Sequence, residues 1–118
     1  MDTELAPIAL FVYARPWHTR RTVQALQENP ESGRSELFIF SDAPRDASAS
    51  RGVDEVREYI KNITGFKSVN VVERSTNYGL ANSIIAGVSY MLSSFDRVVV
   101  VEDDLLTSKY FLGYMNRC

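Results

Sequence analysis

Four consecutive valines, Val98 to Val101, run directly into Glu102, Asp103 and Asp104. A continuous β-branched run reads as a strand buried on both faces, the pattern of a parallel sheet covered by helices. The same kind of signal recurs along the chain. Pro7 to Ala14, Glu36 to Ser41 and Ser68 to Arg74 are short apolar runs rich in β-branched and aromatic residues, as strands are. Segments with helical spacing lie between them. Trp17 to Glu28 follows Pro16, which suits a helix start, and puts Val23 and Leu26 on its inner side. Arg51 to Ile63 carries Val53, Val56, Ile60 and Ile63 in one stripe. Ser50 reads as its N-cap, Asp54 and Glu55 as first-turn acids, and Gly65 as its stop. Leu80 to Ser93 presents Leu80, Ile84, Val88 and Met91 on one face. The last strand spans Asp96 to Glu102, and Thr107-Ser108 caps a final helix from Lys109 to Asn116. Strands and helices in strict alternation, with short connections, predict a three-layer α/β/α sandwich around a mainly parallel four-stranded sheet.

Size and composition agree with one such domain over residues 1–118, and they exclude several functions. A net charge of −2 makes no electrostatic case for nucleic acid or an anionic membrane. No apolar run approaches the length of a membrane span. The acidic start Met1-Asp2-Thr3-Glu4 lacks a signal-peptide pattern, so a cytoplasmic location is expected, with membrane association of a longer parent left open. One cysteine, Cys118, excludes an internal disulfide, and there is no Cys/His metal cluster. One histidine, His18, and a terminal cysteine support no Ser-His-Asp or Cys-His arrangement. There is neither a GxGxxG nor a P-loop pattern. Trp17 reads as packing and His18 as an exposed residue near a helix start. The helix after the fourth strand has barely begun when the chain stops, so this reads as the first part of something longer. The fourth strand is then an unprotected edge, which invites self-association.

Polar residues punctuate the predicted strand ends: Arg15; Ser41 and Asp42; Arg74 with Asn77; and Glu102, Asp103 and Asp104. In parallel strands all four clusters face one crevice, at the carboxyl edge where open α/β sheets bind ligands. Two carboxylates about 5 Å apart repel by roughly 3 kcal/mol at an effective dielectric near 20. A hard divalent cation removes that penalty, and Mg2+ or Mn2+ favours carboxylate, water and phosphate oxygens. Arginine forks suit phosphate and base oxygens. The bland alternatives are a solvated strand end for the acids, a turn residue before Pro44 for Asp42, surface pairing for the two arginines, and a simple cap for Asn77.

Three segments together resemble the nucleotide-sugar-binding half of GT-A-fold glycosyltransferases, closest to the family-2-like enzymes. They are PIALFVYARP with the following helix; LFIFSDAPR; and ERSTNYGLANSIIAGVSYMLSSFDRVVVVEDD. The last is the most specific, because an Asn-x-Gly-Leu helix start precedes an acidic strand end. Glu-Asp-Asp in place of the usual Asp-x-Asp is similar to the metal motif of the N-acetylglucosaminyltransferase I family. The resemblance implies a Rossmann-like sheet of order 3-2-1-4. It implies that Ala14, Arg15 and Pro16 wrap the nucleobase, that Asp42 hydrogen-bonds the base, usually uracil, and that Arg74, Asn77, Gly79 and Leu80 lie beside the nucleotide. Asp103 would contact ribose or sugar, Glu102 would sit close to the donor sugar, and Asp104 would hold Mn2+ or Mg2+ against the diphosphate. The implied activity is metal-dependent, inverting transfer of a sugar from a nucleoside-diphosphate sugar, UDP-linked, to a hydroxyl of a glycan or another acceptor. The family's general base and acceptor region lie beyond the Glu-Asp-Asp segment, so no base is assigned and the isolated chain is expected to bind donor weakly without transferring. A sugar-1-phosphate nucleotidyltransferase-like domain and a non-catalytic α/β binding module are the alternatives. The first is disfavoured because strand one leads into Ala14-Arg15-Pro16 instead of a glycine-rich phosphate loop.

Overall fold

The computed structural model describes residues 4–103 and 109–117. The expected alternation is present: β1 (Ile8–Val12), α1 (Pro16–Gln27), β2 (Glu36–Ser41), α2 (Ala47–Ile60), β3 (Ser68–Glu73), α3 (Leu80–Leu92), β4 (Val99–Glu102) and α4 (Phe111–Arg117). All strands are parallel, in the order β3-β2-β1-β4. The sandwich and the 3-2-1-4 order are therefore as anticipated.

Strand order dictates where the helices lie. The chain steps from β1 to β2 to β3 in one direction, and right-handed crossovers keep α1 and α2 on one face. The step from β3 to β4 passes back over β2 and β1, so α3 falls on the opposite face. Packing follows this division. Ile8, Leu10, Val12, Leu37, Ile39, Val99 and Val101 pack with Val23 and Leu26 of α1, Val56 and Ile60 of α2, and Leu112 of α4. Ala9, Phe11 and Phe40 pack with Met91 of α3 on the other side. The rings of Phe11 and Phe40 stack at 5.1 Å between centroids. Gly87 lets α3 come down onto them, since a Cβ there would stand 2.5 Å from the Phe11 ring. The direction of strand-to-strand progression reverses between β1 and β4, the switch point at which doubly wound sheets open a crevice.

Several local expectations are corrected. The second helix begins at Ala47, and Asp46, not Ser50, is its N-cap: the Asp46 carboxylate accepts from the Ser48 N–H. An aspartate in extended backbone ahead of Ala47 and Ala49 outcompetes a serine further along. Asp54 and Glu55 thus lie past the first turn, and Glu55 pairs instead with Arg51 at 3.0 Å. The helix ends at Ile60; Gly65, at φ +92°, turns the loop beyond it. Ile63 is buried from that loop and not from the helix. The valine run is not buried on both faces. Val99 and Val101 are, but Val100 is 38% exposed because β4 is an edge strand that α3 does not cover. Leu80 is 60% exposed, since Ser83, Gly87 and Met91 take the fully inward positions of α3. Trp17 does not pack inward: it is exposed, with the Arg21 guanidinium 4.5 Å over its ring and the half-buried His18 edge-on. The proposed Thr107-Ser108 cap lies outside the described residues.

Candidate functional site

A cleft of about 410 Å3 opens at the carboxyl edge of the sheet, at the β1/β4 switch point. Its floor is the end of β1, with Phe11, Val12 and Tyr13. Glu102 and Asp103 form one wall. Register alignment places Glu102 beside Phe11. The main-chain carbonyl of Asp103 accepts from the Thr22 hydroxyl of α1 at 2.7 Å, which ties the end of β4 to that helix.

The opposite wall is built around Asp42. This side chain is only 5% exposed, so its carboxylate must be satisfied by the protein. Oδ1 accepts from the N–H groups of Ala43 and Tyr78, both at 2.9 Å. Oδ2 accepts from the Gly79 N–H at 3.0 Å and from the Asn77 amide at 3.3 Å. The Asn77 amide also donates to the Ala43 carbonyl at 2.8 Å. A loop from another strand is thereby wrapped around one acid. Gly79 supplies the left-handed turn, φ +80°, that carries this loop into α3.

Arg74 supports the loop from behind. Its guanidinium lies 4.3 Å from the Tyr78 ring and 5.4 Å from the Phe40 ring, and it donates to the Ser83 carbonyl at 3.3 Å. Its buried Nε has no hydrogen-bond partner among the described residues. Arg57 performs a similar task one layer down, donating to the Ser41 hydroxyl and to the carbonyls of Ser41 and Arg74.

Of the residues singled out from the sequence, Arg15, Asp42, Asn77, Gly79, Leu80, Glu102 and Asp103 line this one cleft. Ala14, Pro16 and Arg74 do not. The Ala14 carbonyl is turned toward α2 at Gly52, Pro16 begins α1 with Arg15 at its N-cap, and Arg74 buttresses the loop. Asp104 lies outside the described residues. Phe11, Val12, Tyr13, Arg45 and Ser83 line the cleft without having been singled out. Arg45 was within reach of the sequence, three positions after Asp42, and its N–H donates to the Tyr13 hydroxyl at 2.8 Å. Ser83 carried no signal of its own.

Two arginines at an acidic cleft suit an anionic ligand that also carries hydroxyls or a cation. Among the described residues no group of three or more His, Cys, Asp or Glu side chains is placed to hold a metal. Glu102 and Asp103 line the cleft, and carboxylates are the donors that suit a hard cation whose shell is completed by phosphate and water. Fold and site together define an α/β protein with a parallel sheet and a polar cleft at its switch point. No protein-family model matches the chain, and no curated protein does either. Among the described residues, no helix is long and apolar enough to cross a membrane.

Proposed function

We propose that this chain is the donor-binding part of a metal-dependent GT-A glycosyltransferase that uses a nucleoside-diphosphate sugar, UDP-linked, to glycosylate a hydroxyl. The observation that carries this reading is the convergence of Arg15, the Asp42-centred loop and the Glu102-Asp103 wall on one cleft. The resemblance in sequence supplies the family. Asp42 contributes by holding residues 77–79 in shape, so that the loop flanks the nucleotide. Arg15 and Arg45 present cationic donors to the diphosphate. Glu102 and Asp103 accept hydroxyl donors of ribose and sugar. Asp104, with phosphate oxygens, would hold Mn2+ or Mg2+. When bound, the cation stabilises the negative charge that builds on the departing β-phosphate. The acceptor oxygen bonds to the anomeric carbon as the bond to the phosphate oxygen breaks. No cleft residue is assigned as the base that takes the acceptor's proton.

Titration calorimetry with UDP, with and without Mn2+, tests the reading. Metal-dependent binding of UDP, lost in Asp104→Ala with the fold intact by circular dichroism, is the expected result. A preference for nucleoside triphosphate would move the chain to the nucleotidyltransferases. No binding at about millimolar UDP, a free energy near −4 kcal/mol, would leave a non-catalytic module.

A further inference from the structure

Asp42 is too well satisfied to meet a ligand directly. A carboxylate offers about four lone-pair sites on its two oxygens. The N–H groups of Ala43, Tyr78 and Gly79 and the Asn77 amide fill them. With the side chain only 5% exposed, a further donor has no room to approach. The role that the resemblance implies for this acid, hydrogen-bonding the base, therefore falls to another group.

Asn77 lines the cleft and is exposed. Its amide nitrogen, with two hydrogens to give, donates to Asp42 Oδ2 at 3.3 Å and to the Ala43 carbonyl at 2.8 Å. Both partners are oxygen acceptors, so the amide has one orientation: reversing it would set its oxygen against two others. The polar side-chain atom left to meet a ligand is Oδ1, which accepts from no group among the described residues. The same two bonds fix the plane of the amide and hence the direction of that oxygen. The bond to the carboxylate also polarises the amide and strengthens Oδ1 as an acceptor, as in any hydrogen-bonded chain. Asp42 thus acts at one remove, through Asn77.

We propose that Asn77 is the specificity-determining residue for the base, its Oδ1 accepting the N3–H of uracil. The inference rests on the reading of this chain as the binding part for a UDP-linked sugar. Charge decides which portion of the ligand lies here. An oxygen backed by a carboxylate repels phosphate and attracts a hydrogen-bond donor. The diphosphate lies with Arg15 and Arg45, and the uncharged base lies with Asn77. In a uridine nucleotide the ring nitrogen N1 is bonded to ribose, so N3–H is the only donor the base has. Cytosine carries no hydrogen at N3 and would set a lone pair against Oδ1. A fixed acceptor discriminates in this way because the mismatched base leaves its bond unmade.

Titration calorimetry of the 118-residue chain with UDP and with N3-methyl-UDP, each with Mn2+, tests the proposal. The methyl group replaces the one hydrogen in question and leaves the phosphates and ribose unchanged. The parent should prefer UDP by roughly tenfold. In Asn77→Ala the preference should shrink to within about twofold, while the Tyr78 and Gly79 amides still exchange slowly. A ratio of two ligands on one protein does not depend on the folded fraction. Asn77→Ser, whose hydroxyl ends an atom short of the Oδ1 position, should behave alike if the alanine variant does not fold. Equal affinity of the parent for both ligands would overturn the proposal and leave the UDP reading standing. So would a preference that survives in both variants, or one lost only together with slow exchange, since loop shape and not the carbonyl would then be responsible. A parent that binds neither ligand would overturn both readings.

Discussion

Replacing Asp42 by asparagine removes one charge and almost no volume, so its cost isolates the hydrogen-bonding role of that carboxylate. The acid is buried and takes four N–H donors, two on each oxygen. An asparagine keeps one oxygen. Its amide nitrogen must face the two donors that met the other, and both of those bonds are lost. Hydrogen bonds to a charged group are worth about 1.5–3 kcal/mol each, so the loss is about 3 kcal/mol or more. For a domain of this size that corresponds to a drop of roughly 12 °C in melting temperature. The damage should centre on the loop before α3. In the parent, the Tyr78 and Gly79 amides should exchange slowly, because both are bound to the acid. In Asp42→Asn at least one should exchange at near the rate of an open loop. A variant that melts within about 0.5 kcal/mol of the parent, the range of an ordinary surface change, would refute the reasoning and return Asp42 to the status of a turn residue.

Two other substitutions probe how the layers meet. Gly87→Ala should destabilise by about 1–3 kcal/mol by thermal melting, because the new methyl would fall 2.5 Å from the Phe11 ring; a gain of about 1 kcal/mol, the bare helix-propensity effect, would show that α3 rides higher above the sheet. Asp46→Ala should lower the melting temperature near neutral pH by removing the α2 cap. The Ser48 hydroxyl holds the Asp46 carboxyl below the usual range; desolvation opposes it, and the Arg45 charge and the Ala49 and Ser48 N–H groups add to the lowering. A pKa lowered on folding means stability that is present above the unfolded pKa and lost as pH falls through the folded one. The parent and Asp46→Ala curves should therefore converge in acid; a gap that stays constant down to about pH 2 would exclude the charged cap as its source.

Much of the fold was legible because burial imposes a period. Val23, Leu26, Val53, Val56 and Ile60 announce inward stripes, and all are at most 1% exposed. The start of α2 was less legible, since Asp46 and Ser50 are both acceptable caps and only chain geometry chooses between them. Leu80 and Trp17 misled for a related reason. Apolar spacing at a helix start reads as core even where the helix end projects past the sheet.

The candidate site divides the same way. The acids after the valine run, and Arg15 and Asp42 at other strand ends, were visible as polarity switches. That they share one cleft depends on the β3-β2-β1-β4 order, which puts the β1/β4 switch point between them.

By itself, then, the amino-acid sequence determined the alternation of strands and helices, the parallel sheet and the polar strand ends. These are local consequences of side-chain period and of where apolar runs stop. Only the tertiary structure decided that Asp42 is consumed by a loop 35 to 37 residues away. It likewise decided that Arg74 stands behind the cleft, and that Val100 is exposed among the described residues while Val99 and Val101 are buried. Those outcomes depend on which strands become neighbours and which helix covers which pair, and such contacts between distant residues leave no mark in any short window of the chain.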